Sequence, residues 1–119
     1  MIALAAALLL TAAEPPSWHP TQAPAPIEVV LKNDKAEGPR TVRAKRGENV
    51  TLRISSDRKI VLHLHGYDLE RTAEPESPAV FSFIAKATGR FPIEEHVPSA
   101  GKKSHSHSPA ILYIEILPN

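Results

Sequence analysis

The chain has 119 residues, no cysteine and a formal charge of +1, with 14 Lys and Arg against 13 Asp and Glu. That length admits one small domain and excludes a two-domain enzyme or a doubly wound nucleotide-binding fold. The charges form no basic stripe, which excludes a nucleic-acid partner. The missing cysteine removes disulfides, thiolate metal ligands, thiol nucleophiles and a lipid-anchored cysteine together.

Residues 1–13, MIALAAALLLTAA, carry no charged side chain. The run is shorter than the roughly 20 residues that a membrane span needs. It has the character of the hydrophobic centre of a secretory signal, with Thr11 and Ala13 suiting a cut before Glu14. The basic start of such a signal is missing, and a short N-terminal helix packed on the domain is the alternative. The expectation is a periplasmic or otherwise exported protein with no transmembrane span in the mature chain. Residues 14–26, EPPSWHPTQAPAP, hold five prolines. Proline fixes φ and lacks an N–H, so this stretch reads as an extended tether that resists pairing into a sheet. Residues 27–119 are left to fold.

From Ile27 onward the apolar residues recur with period two, the mark of half-buried strands. Ile27, Val29 and Leu31 share one face, and Asn33 to Pro39 carries turn residues. A strand over Thr41–Lys45 buries Val42 and Ala44. After a turn at 47–49, Val50, Leu52 and Ile54 alternate with Thr51, Arg53 and Ser55. Further strands are expected over Ile60–His65, Val80–Ile84, Gly89–Ile93 and Ile111–Leu117. Prolines 39, 75, 78, 92, 98 and 109 are expected at loops or strand margins, where a missing donor does least harm. About seven short strands at this spacing predict an all-β, Greek-key β-sandwich or barrel with antiparallel edges.

Histidine is where chemistry would reside. Five of the six lie after residue 60: His63, His65, His96, His105 and His107. In Ile60–His65 the alternation sends Ile60, Leu62 and Leu64 to the core and Val61, His63 and His65 to the opposite face. Two such imidazoles have Cβ atoms about 7 Å apart, near enough to reach one metal ion. Gly66 then permits a sharp change of direction or a close approach.

With Phe91 and Ile93 in the core, Glu94 and His96 face outward as well. If the two strands are neighbours, three imidazoles and one carboxylate share a face. Glu94 would then ligate directly or hold a ligand histidine's second nitrogen, and protons would compete with metal for the rings. The segment 101–109 offers His105 and His107 as auxiliary ligands, although Lys102 and Lys103 would repel a cation there. Glu95 is a further auxiliary candidate. Ordinary solvated polar positions are the competing reading for each of these residues.

The HLHGYDLE segment at 63–70 and the GRFPIEEH segment at 89–96 resemble those of small exported cupredoxin-like domains of bacteria. The resemblance covers roughly residues 27–117. Gly89, Phe91, Ile93 and the closing strand Ile111–Leu117 match the family's pattern before and after its ligand-bearing loop. The likeness is nearest to a branch carrying His63, His65, Gly66, Tyr67, Asp68, Glu94 and His96. The His-x-His-Gly piece is also similar to that of multicopper oxidases, whose chemistry needs several domains. A blue-copper centre uses two His, a Cys thiolate and often a Met. This chain has no Cys, its only Met is residue 1, and Glu95 or its neighbour holds the thiolate's place.

Two functions follow as expectations. One is a module that holds a copper ion, with zinc as the alternative, through His63, His65, His96 and Glu94. Its role would be metal handling or delivery rather than catalysis, with no enzyme activity. Imidazole and carboxylate suit both ions, and Cu(II) binds the more tightly. The other is a metal-free interaction domain for another envelope protein, and imidazole nitrogens more than about 6 Å apart would favour it. A hydrolase using a metal-bound water with Glu94 as base lacks an oxyanion-hole glycine run and any Ser or Cys nucleophile setting.

Overall fold

The computed structural model describes residues 10–20, 23–97 and 108–119. Nine strands follow one another among them, with no helix: β1 Ile27–Lys32, β2 Lys35–Ala36, β3 Thr41–Lys45, β4 Asn49–Ser56, β5 Ile60–Leu64, β6 Leu69–Ala73, β7 Ala79–Ile84, β8 Gly89–Glu95 and β9 Leu112–Leu117. They form a four-stranded sheet in the order β2-β1-β4-β7 and a five-stranded sheet in the order β3-β9-β8-β5-β6. Among the described residues no helix is long and apolar enough to cross a membrane. Residues 10–20 and 23–26 carry no regular structure and are exposed. Most of the apolar stretch 1–13 lies outside the described residues.

The core sits between the sheets and is built by the period-two residues. Leu31, Leu52, Ile54, Leu62, Leu64, Phe81, Ile93 and Ile114 are all buried to within 1%. Each such side chain is worth about 1.5–3 kcal/mol of transfer free energy. Cross-sheet burial of alternate residues therefore carries the fold, because the intervening positions in β4 and β5 stay partly or fully exposed.

Two strands lie outside the seven expected. β2 is two residues long and pairs with β1 across a two-residue turn at Asn33 and Asp34, whose φ values are +50° and +63°. Positive φ at both central positions is the hairpin turn whose twist matches that of its strands. β6 is missed because Glu70, Arg71 and Thr72 offer only polar residues between Leu69 and Ala73.

The edges also differ from expectation. β2, β7 and β6 pair antiparallel, whereas the edge strand β3 runs parallel to β9, and β1 runs parallel to β4. Side-chain alternation reports which face is buried and is silent on the direction of a neighbour.

Pro92 is a second correction, because it lies inside β8 rather than at a margin. Its carbonyl accepts the His65 N–H at 3.0 Å, while the N–H of its other neighbour, Tyr113, donates to Arg40. The donor that Pro92 lacks therefore faces His65, where β5 has already given way to its hairpin loop, and little is lost.

Candidate metal-binding face

β5 lies between β6 and β8, so the adjacency on which the histidine reading depended is present. His63 stands opposite Glu94 of β8 and opposite Glu70 of β6. The His96 N–H donates to the Val61 carbonyl at 2.9 Å, which extends the β5–β8 ladder one step past Glu95. His63 and Glu94 share the outer face of the five-stranded sheet, as alternation requires once Leu62, Leu64 and Ile93 are buried. His65, in the loop after β5, joins them through its ring contact with His63 and its bond to Glu94, and His96 through the ladder bond to Val61.

Each imidazole meets a different carboxylate. His65 Nε2 lies 3.0 Å from Glu94 Oε2, His96 Nδ1 lies 3.4 Å from Glu70 Oε2, and His63 Nε2 lies 4.0 Å from Asp68 Oδ1. Only the His65–Glu94 contact is a hydrogen bond. The His63 and His65 rings meet edge to face with centroids 4.5 Å apart. Glu94 is the most covered of the carboxylates, its side chain 18% exposed. Beyond Pro92 the face continues to Tyr113, over whose ring the Arg90 guanidinium lies at 3.9 Å.

The β5–β6 loop sets this geometry. Residues 65–68 form the turn, with Gly66 at φ +88° and Asp68 at φ +49°. A Cβ built at Gly66 would fall 2.5 Å from Cδ1 of Phe91, so the close approach anticipated there is made by an aromatic ring. Tyr67 packs on Phe83 and Phe91 at centroid distances of 4.5 and 5.1 Å, fastening the loop to the core.

Glu95 stands apart from the imidazoles. It is opposite Leu62 and takes both oxygens to the Arg58 guanidinium at 2.9 and 3.0 Å. Arg58 also donates to Asp34, and these two hydrogen bonds, Asp34 first, raise the guanidinium pKa above its ordinary value. His105 and His107 lie outside the described residues.

Glu70 and Asp68 were not among the expected donors. Glu70 escaped because its strand was not recognised. The available signal was the hairpin, since a four-residue loop at 65–68 places residue 70 opposite residue 63.

The donor set decides what this face can hold. A blue-copper site does not fit, because there is no thiolate to offer. Imidazoles and carboxylates fit Cu(II) or Zn(II). Among the described residues no three His, Asp or Glu side chains are arranged to hold one metal ion as they stand. The rings instead point toward carboxylates.

No protein-family model matches the chain, and no curated protein matches it. The fold does have solved counterparts. One is a chain of a structure described as "Cryo-EM structure of a heme-copper terminal oxidase dimer provides insights into its catalytic mechanism". It is 16% identical, with a TM-score of 0.56, and the match covers 87% of this chain and 75% of that one. At that identity the likeness concerns architecture alone, and the all-β, two-sheet architecture is consistent with a cupredoxin-like β-sandwich.

Proposed function

We propose that this protein is an exported metal-binding module that holds a copper ion on the outer face of β5 and β8, with zinc as the competing ion. His63, His65 and His96 supply imidazole nitrogen, and Glu94 supplies carboxylate. The observation that carries the reading is the register of these strands, which aligns His63 with Glu94 and Val61 with His96. Each imidazole has a nitrogen outside its carboxylate contact. A site without thiolate suits holding and handing over an ion better than fast electron transfer. Elemental analysis of the protein purified from its native envelope tests this. Near one copper per chain is the expected result, near one zinc would change the ion, and no metal would overturn the reading.

A second reading is favoured by the imidazole–carboxylate pairing itself. In it the domain is metal-free, and the polar face made by His65, Glu94, His96 and Glu70 contacts another envelope protein. Such a face would keep its partner after complete removal of metal by a chelator, whereas a metal-dependent contact would be lost.

A further inference from the structure

Trp18 and a groove at the edge of the sandwich both stand open. The chain's one tryptophan is 89% exposed, in the segment EPPSWHP at 14–20, which carries no regular structure. An aromatic side chain buries about 150–250 Å² when it finds a site, so the bulkiest side chain of the protein stays outside the fold. The groove, of about 470 Å³, lies between the β5–β6 loop and the end of β7. Tyr67, Leu69, Phe83, Ile84 and Phe91 line it, with Lys86 beside them. Its size and aromatic lining suit a binding site.

Strand register decides which segment can reach it. β1 runs parallel to β4 with Ile27 level with Leu52, and β4 runs antiparallel to β7 with Asn49 opposite Ile84 and Val50 opposite Phe83. The chain ahead of Ile27 therefore enters its sheet at the end that holds Phe83 and Ile84, two strand spacings, or about 10 Å, from β7. The nine steps of chain from Trp18 to Ile27 span about 28 Å as polyproline II, enough to bring the indole back to the groove. Pro15, Pro16 and Pro20 keep the segment extended beforehand, which lowers the ordering cost of docking. Aromatic-lined grooves are the surfaces on which proline-rich extended segments dock. Glu14 at the head of the segment is opposite in charge to Lys86.

We propose that the groove is the docking site for residues 14–20 of the same chain, with Trp18 as the anchor against Tyr67, Phe83 and Phe91. The structure shows the undocked state, with segment and groove both open. The same chain is favoured over a second copy because a short tether holds the segment at an effective concentration of about 1 mM. At that value a segment with an intrinsic dissociation constant of about 0.1 mM is docked in about nine chains of ten. The metal-binding reading plays no part in this.

Because Trp18 is the only tryptophan, its fluorescence in the full chain reads docking directly. The wild type is expected to show blue-shifted emission and weaker acrylamide quenching than a synthetic peptide of residues 14–20, unchanged from micromolar to near-millimolar protein. Ile84→Asp puts a charge in the groove wall at a half-exposed position and should return both readings to those of the peptide. Trp18→Ala, in a segment outside the fold, should shift the ring resonances of Phe83 and Phe91 in NMR spectra. A wild type that reads like the peptide, or protection that survives Ile84→Asp, would overturn the docking site. Ring resonances unmoved by Trp18→Ala would overturn it too, and that arm stands even where Ile84→Asp fails to fold. Protection that rises with concentration would assign the segment to a second copy and overturn the intramolecular assignment.

Discussion

Gly66 and Phe91 occupy space that no side chain at position 66 can share: a Cβ there would lie 2.5 Å from the ring's Cδ1 and 2.8 Å from its Cε1. The φ of +88° at Gly66 is a second obstacle to any L-residue. Gly66→Ala is therefore expected to destabilise the domain by about 2 kcal/mol or more, backbone strain and overpacking together. Urea unfolding checks it. In a Phe91→Ala background the same substitution should cost only the backbone part, about 1–2 kcal/mol. An equal penalty in both backgrounds would contradict the contact.

Tyr67 gives the opposite sign. Its hydroxyl is buried with no hydrogen-bond partner among the described residues. An unsatisfied buried polar group opposes folding, so Tyr67→Phe should leave stability unchanged or raise it by up to about 1 kcal/mol. Thermal unfolding decides, and a loss of more than about 1 kcal/mol would show that the hydroxyl is bonded after all.

Arg58 ties the β1–β2 turn to the end of β8 through Asp34 and Glu95. The group is 41% exposed, so screening limits the effect, and Arg58→Ala is expected to cost about 1 kcal/mol. The pH dependence follows from the raised guanidinium pKa. A group raised on folding contributes fully below its unfolded pKa, and that contribution is lost only as pH climbs through the folded one. Both lie far above neutral pH, so the difference between wild type and variant should stay flat between about pH 6 and pH 9. A marked slope in denaturant midpoints over that range would contradict this assignment.

Much of this was legible in residue order. Val50, Leu52 and Ile54, then Ile60, Leu62 and Leu64, announce two strands because each buries one face only. Their alternation also places His63 on the outer face. β6 was illegible for the converse reason, since an edge strand with exposed Glu70, Arg71 and Thr72 has no apolar period to read. Losing β6 meant losing Glu70. The pairing of β5 with β8 was likewise beyond residue order, because it depends on which strand comes to lie beside which, a property of the whole sandwich. Glu94 and Glu95 show the finer limit. They are adjacent carboxylates sent to opposite faces, and only the register of His63 with Glu94 and Leu62 with Glu95 assigns one to the imidazoles and the other to Arg58.

The shared face of β5 and β8 is tested most directly by calorimetric titration of the metal-free chain with Cu(II), alongside His63→Ala and His96→Ala. One ion per wild-type chain is expected, with each substitution weakening binding at least about tenfold, because each removes one of few donors. Binding that is absent in the wild type, or equally tight in both variants, would contradict a copper site on this face.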